Sequence, residues 1–508
     1  MHVESNGHHD LHMSLRRPVF KSYINALPTE LLIWIFTYAS CVSNGIEFNL
    51  ALVCRRWRHT LLHLPSIWTR LCISQGTSID KARLYIQRSN DGPLYLDADL
   101  TYSTYDDDYY VKGRGFLQRR IKSSERQDVV ELLFSCMDRW KCLDLTVLGD
   151  HNDYQVRAQG VAGRTLRKFV DIYVPLLENF GVNAFSQSCM TVIDFRPPIH
   201  FFQRGAPMLT HLRLCQVGPD ICSVPSATST LTSLSVETYH HDHQLTAYEL
   251  FAYLRKLPAL THLHLKEDFY CKWYRIKNIV PLPNLVSLCL ELGPECCVAM
   301  ICEIFVFFVA PHLEHFSLTP APAVELSLET PYDIIGEEEI ERLPNFLVKF
   351  VSNPPFPLLE SLVLHFPAIP DKVINFFRVF PTVCNVSLAE MNSKEMIKEM
   401  LKGHACEDPP SNAPLLWPNL QTLILQDWNV SDEFELLLEL LHVRERAGSP
   451  IKQLKLRSTK ANTFTPISPL QRSKLDELVS VELDIDPPFV KCSDSLDSLM
   501  TKRVTPIW

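Results

Sequence analysis

With 508 residues, 46% hydrophobic and 21% charged, the chain has ordinary globular composition, and its length implies about three domains or one elongated array rather than a wholly disordered polymer. Its 49 Lys and Arg against 58 Asp and Glu leave a net charge of −9, so no global field draws in nucleic acid or an anionic membrane. Only 16 glycines against 35 prolines lean away from Rossmann and phosphate-loop enzymes, whose backbones need glycine to approach phosphate, and toward segments punctuated by proline.

Residues 1–22 read as a disordered polar tail. It carries His2, His8, His9 and His12, for which a solvated tail is the main reading and metal binding the lesser one. No apolar h-region of a signal peptide is present, which predicts an intracellular protein of the cytoplasm or nucleus. The 16 cysteines include no C-x-x-C pair, and Cys296 and Cys297 are adjacent. Free thiols are therefore expected rather than a zinc ribbon or a disulfide framework.

A compact module is expected over 23–73. Leu27-Pro28-Thr29-Glu30 reads as a helix start, and Leu31, Leu32, Ile35 and Phe36 share one helical face. After a polar break over Ser40 to Phe48, Asn49 can cap a second helix. There Leu50, Val53, Cys54, Trp57 and Leu61 share a face and Pro65 is the stop. Trp68, Leu71 and Ile73 give a strand-like ending. Some 50 residues are few for a self-sufficient core, so part of this apolar surface is expected to meet a partner. The order of L-P-x-E-L-L-x-x-I-F (Leu27 to Phe36), A-L-V-C-R-R-W-R (Ala51 to Arg58) and L-P-S-I-W (Leu64 to Trp68) strongly resembles the F-box. That resemblance implies a three-helix module docking on a Skp-family adaptor, which in turn holds a cullin scaffold and a RING subunit. The positions matching the family's adaptor-facing residues are Leu27, Pro28, Leu31, Leu32, Ile35, Phe36, Val53, Cys54 and Trp57. Plain core packing is the competing reading of each, and a mixed role is expected of Trp57.

Residues 74–195 read as a linker with atypical first repeats. Its charged insertion at 101–126 holds Asp106, Asp107 and Asp108, followed by Lys112, Arg114, Arg119, Arg120, Lys122 and Arg126. A solvated loop is favoured there over a targeting or nucleic-acid patch. Gly113-Arg114-Gly115 lacks the third glycine of a dinucleotide fingerprint. No metalloprotease, nucleophile-elbow or phosphate-loop motif occurs anywhere in the chain.

From 196 to 490 the pattern L-x-x-L-x-L recurs. Leu209/Leu212/Leu214 opens ten copies that end at Leu478/Val481/Leu483, with spacings of 22 to 46 residues. Weaker copies lie at Trp140/Leu143/Leu145, Leu177/Phe180/Val182 and Met190/Ile193/Phe195. Proline stands two residues before the opening apolar position at Pro175, Pro207, Pro258, Pro283, Pro311, Pro357, Pro381 and Pro418, which predicts the first residue of a strand. Helical spacing follows in stretches such as Tyr248/Phe251/Leu254/Leu257 and Phe434/Leu437/Leu438/Leu441. One strand plus one helix cannot bury its apolar side alone, so the fold class expected is α/β. It is an N-terminal three-helix module followed by an irregular leucine-rich-repeat solenoid, with an ordinary α/β sheet as the alternative. The irregular spacing resembles the degenerate arrays that follow F-boxes, especially in fungi. The apolar run Cys296 to Ala310 is too short for a bilayer and predicts a buried helix. Pro320 to Leu343 and Met391 to Leu416 read as exposed loops, His240, His241 and His243 as a loop, and 491–508 as a C-terminal tail.

The residues alternating with the buried leucines should face outward. Among them are His211, Arg213, His262, His264, Lys266, His315 and His365, the candidate substrate face, where neighbouring strands should bring His211, His262 and His264 together. Hydrogen-bonding polar filler is the broader reading and a pH-sensitive or metal-tolerant patch the narrower one. No catalytic constellation, cofactor site or dedicated metal site is expected. The leading expectation is a non-catalytic substrate receptor of a Skp–cullin–F-box (SCF) ubiquitin ligase. Its rival is a repeat scaffold that binds the Skp-family adaptor without promoting ubiquitination, with an enzyme last.

Overall fold

The computed structural model describes residues 27–43, 45–74, 77–100, 123–149, 161–186, 198–217, 222–238, 247–267, 279–292, 308–320, 356–365, 377–378, 380–402, 415–428, 430–458 and 467–485. The chain divides into two compact units, Met1–Trp68 and Thr69–Trp508. Both predicted tails, most of the charged insertion (101–122), the copy at Met190, His240 to His243 and most of Pro320 to Leu343 lie outside the described residues.

The first unit is helical. Helix α1 (Thr29–Val42) starts after Pro28, whose fixed φ of −52° suits a helix entry, and has Glu30 in its first turn. It runs on into the start of the expected polar break, ending at Val42. The chain turns at Gly45, whose φ of 78° is open to glycine at no steric cost, into α2 (Ile46–Val53). The expected single second helix is in fact two. Cys54 is fully extended (φ −159°, ψ 169°) and its sulfur accepts from the Trp57 amide, capping α3 (Arg55–Leu62), while Asn49 lies inside α2. Leu32, Phe36, Trp57, Leu61, Ile67 and Trp68 make the core. Phe36 meets Trp57 edge-on at 5.0 Å, and the Trp68 indole donates to the Leu61 carbonyl at 3.0 Å.

The second unit is built on one sheet of fourteen strands. They are β1 (Arg70–Ile73), β2 (Leu94–Asp99), β3 (Trp140–Gly149), β4 (Asn179–Ser186), β5 (His211–Cys215), β6 (Ser233–Thr238) and β7 (His262–Glu267), followed by β8 (Ser287–Leu292), β9 (His315–Pro320), β10 (Ser361–Leu364), β11 (Asn385–Ala389), β12 (Thr422–Gln426), β13 (Gln453–Ser458) and β14 (Ser480–Ile485). Spatial order equals chain order, and each strand pairs in parallel with the next. That is the repeat architecture the L-x-x-L-x-L pattern predicts, without the strand crossovers of a doubly wound sheet. The array starts at Arg70, well before the first strong sequence copy.

Between strands lie α4 (Ile79–Arg88), α5 (Ser123–Phe134), α6 (Val161–Arg167), α7 (Ala247–Leu254), α8 (Glu390–Leu401), α9 (Val430–Arg446) and α10 (Pro469–Asp476). Four connections contribute two short parallel pairs, Ile199–His200 with Cys222–Ser223 and Val280–Pro281 with Phe308–Val309. The expected buried helix ending at Ala310 therefore gives way to a strand at its described end. Likewise, the first half of the expected exposed loop from Met391 is α8, whose Met396, Ile397 and Met400 are buried. Its i, i+1, i+4 apolar spacing was masked by the lysines and glutamates between.

The repeated prolines have a different job from the one expected. Each precedes its strand and occupies the second position of a tight turn. The carbonyl of a buried residue, such as Ala206, Leu282 or Trp417, accepts from the amide of the opening leucine three residues on. Seven such bonds measure 3.0–3.4 Å, at Leu209, Leu260, Leu285, Leu313, Leu359, Val383 and Leu420. Proline pre-sets the φ that this turn position needs and gives up no required donor.

One turn is held from outside the pattern. The Arg444 side chain of α9 is fully buried and donates to the carbonyls of Leu416 and Trp417 at 3.1 and 2.9 Å. Burial lowers its pKa to about 10. Removing it would take the donor from the Leu416 carbonyl, leave the Trp417 carbonyl only its turn bond from Leu420, and open a cavity. Arg444→Ala is expected to cost about 2–4 kcal/mol of stability in chemical denaturation, with Arg444→Lys recovering only part.

Candidate functional surfaces

Two surfaces can meet other molecules. On the helical unit, the face expected to dock a partner is split between core and solvent. Leu32, Phe36 and Trp57 are buried, Leu27 and Cys54 are half-buried and Pro28 is exposed. Leu31, Ile35 and Val53 present apolar side chains to solvent at 50%, 43% and 56% exposure. Four residues missed in the sequence extend that surface: Trp34, Tyr38, Val42 and Leu52, the first two more than 70% exposed. Leu31, Trp34, Ile35, Tyr38 and Val42 follow the i, i+3, i+4, i+7, i+11 spacing of one helical stripe. The signal was present as aromatics three and seven residues beyond Leu31, but a core reading of α1 absorbed it.

On the sheet, the residues between the buried leucines stand in register across all fourteen strands. The central row begins Cys72, Asp97, Asp144, Gly181, Arg213, Ser235, His264, Cys289 and Ser317. The row before it places His211, Ser233, His262, Ser287, His315 and Ser361 side by side. The expected cluster of His211, His262 and His264 therefore does not form. Serine separates each histidine from the next, two strand spacings or roughly 9.5 Å apart. His211 and His262 bond their neighbouring threonine hydroxyls at 2.7 and 2.8 Å, and His315 is exposed. His365 bonds Ser387 at 2.9 Å, and burial pushes its pKa down.

His264 sits in a different environment. Its Nδ1 lies 3.2 Å from the Ser235 hydroxyl and its Nε2 3.1 Å from a Glu291 oxygen. Lys266 bridges Glu237 at 2.5 Å and Glu291 at 3.6 Å, and Arg213 reaches Glu237 at 3.3 Å. Burial pulls the His264 pKa down, but hydrogen bonds to Cys289 and Glu291 and their charge more than reverse this, and it stands at about 9. Among the described residues, His264, Cys289 and Glu291 bring three metal-ligating atoms together. Eight described cysteines are free thiols, and burial raises Cys72 to about 12 and Cys136 to about 11, values that suit packing rather than nucleophilic chemistry.

Further along the row, Asp144 fills the space that a side chain at Gly181 would need; a Cβ there would collide with its carboxylate. Burial, reinforced by the charge of Asp97 and opposed by Arg213, raises Asp144 from 3.8 to about 7. Neither acid was singled out in the sequence, because only register joins residues 47 positions apart.

Residues 24–74 match the family model described as F-box-like, so the chain carries an F-box-like domain there. The match runs on through β1. No curated protein matches the chain. Among solved structures, a Bacteroides fragilis protein determined as a structural-genomics target is similar at 13% identity, covering 73% of this chain and 85% of that one with a TM-score of 0.34. Among the described residues no helix is long and apolar enough to cross a membrane.

The raised carboxyl gives a signed expectation. A folded-state pKa above the unfolded one favours the protonated acid in the fold, so its contribution to stability falls as pH rises from about 4 to about 7. Asp144→Asn should flatten that decline and stabilise the protein at pH 8 by roughly 1–3 kcal/mol. Denaturant titrations of both forms at pH 4, 6 and 8 would check it.

Proposed function

We propose that the protein is the substrate-recognition subunit of an SCF-type ubiquitin ligase, non-catalytic in itself. The observation carrying this reading is the apolar stripe of Leu31, Trp34, Ile35, Tyr38 and Val42 on α1, inside a domain matching the F-box-like family. F-box domains generally bind Skp-family adaptors. A solvent-facing run of large apolar and aromatic side chains is the kind of surface such an interface core needs.

The sheet supplies the second half of the reading. Its outward rows form a broad polar surface with charges of both signs, suited to a folded protein partner rather than to one acidic or basic class. Receptor and adaptor together would raise the effective concentration of substrate at the conjugating enzyme, so the protein contributes positioning and no covalent step.

Co-purification from cells tests the reading. Leu31→Asp with Ile35→Asp is expected to abolish recovery of the Skp-family adaptor while leaving the helical core of Leu32, Phe36 and Trp57 intact. Trp34→Ala and Tyr38→Ala should each weaken adaptor binding about tenfold or more. Unchanged adaptor recovery would sink the assignment. Adaptor recovered without cullin would instead support a scaffold that does not promote ubiquitination.

A further inference from the structure

We propose that His264, Cys289 and Glu291 form a binding site for one divalent transition-metal ion, with zinc the best match in size and ligand preference. His264 on β7 and Cys289 on β8 are register partners, and Glu291 lies two residues further along β8, on the same face. One ring nitrogen, the Cys289 sulfur and a carboxylate oxygen all lie within 4.8 Å of one another. Around a tetrahedral zinc with bonds of about 2.0–2.3 Å, donor atoms sit roughly 3.2–3.8 Å apart. The sheet thus holds the donors close to a coordinating arrangement, and small side-chain rotations close the rest.

The surroundings favour an ion over the alternatives on the same residues. A metal-bound histidine usually donates its second ring N–H to an oxygen, which fixes the tautomer. The Ser235 hydroxyl stands 3.2 Å from Nδ1, placed to accept that proton and leave the Nε2 lone pair for the ion. A thiol–histidine–acid catalytic triad would need the acid on one ring nitrogen and the thiol on the other. Here the acid lies on Nε2 and Nδ1 faces Ser235. One sulfur, one imidazole and one carboxylate suit zinc and not magnesium or calcium, which take oxygen ligands. Three protein donors leave a fourth position open to water or to a group from a bound molecule.

Lys266, 3.6 Å from Glu291, is the competing cation. It need not leave. Ligation requires a deprotonated thiolate and a neutral imidazole, so where the metal-free site carries protons on both, one divalent ion replaces two unit charges and the local net charge is unchanged. Lys266 also keeps its pairing with Glu237.

The test uses the full chain stripped of metal by chelator and titrated with cobalt(II), then zinc. The wild type is expected to bind one equivalent showing a thiolate-to-cobalt charge-transfer band and visible bands of tetrahedral intensity. Cys289→Ser and His264→Gln should each lose that equivalent while retaining the wild-type circular dichroism. Ser235→Ala should keep the spectrum but bind about 10–100-fold more weakly, and Lys266→Gln should bind more tightly. Any binding by the N-terminal histidines or other cysteines would be common to all variants and cancels in the comparison. Cobalt spectra without a thiolate band would overturn the site, as would equal stoichiometry and affinity in wild type, Cys289→Ser and His264→Gln. Should Cys289→Ser misfold, Glu291→Gln decides: zinc affinity equal to wild type would overturn it too.

Discussion

From β1 to β13, two buried apolar residues separated by one residue of the sheet face are the constraint on which the second unit depends; in β14 the matching Leu483 is 44% exposed. In the first buried row, Leu71, Leu96, Leu143, Phe180, Leu212, Leu234, Leu263 and Leu288 continue to Leu454 as register partners, every member almost inaccessible to solvent. A slip of one residue in any strand would turn its leucines outward and its charges inward. Register is therefore fixed by burial, and the outward rows inherit it. Ser235, His264 and Cys289 meet because the leucines beside them cannot move.

The helical unit divides the same resource differently. Its largest side chains are shared between a small core of Leu32, Phe36, Trp57 and Trp68 and an outer stripe that α1 leaves in water. A module of this size cannot bury everything apolar it carries. A binding surface is thus a natural by-product of its composition, and the extended Cys54 sharpens it by ending α2 just after the exposed Leu52 and Val53.

The repeat rhythm was legible because a strand writes its burial into adjacent residues. Copies from Leu209 onward keep leucine-like residues at all three positions. The strand at Leu71 and Ile73 was legible, but as the end of the helical module rather than the start of the array; β2 was missed because Ala98 stands where a leucine would and Pro93 falls directly before Leu94. The break at Cys54 was hidden because helical spacing survives across it, the apolar residues on either side still counting in threes and fours. The grouping on the sheet face was not legible at all. Predicting which histidine meets which neighbour requires knowing that β6 lies between β5 and β7, and the sequence pattern marked the strands without enforcing the count. His264 finds Cys289 and Glu291 through pairing between segments 25 and 27 residues apart, a distance that no local motif spans.

The proline turns sit at one end of the strands only. On that side the opening leucine's amide is tied back three residues, and one carbonyl of the preceding strand's entry receives two consecutive amides of the next, as Thr210 receives Thr232 and Ser233. Strands β5 to β13 are thus each located afresh by bonds made at their beginning. An error in the length of a connection is absorbed before the next strand starts and does not accumulate along the chain. Such a sheet behaves like a text with a synchronising mark at the head of each line: spacings can drift from 22 to 46 residues without any line losing its place, and insertions are tolerated where strands exit rather than where they enter.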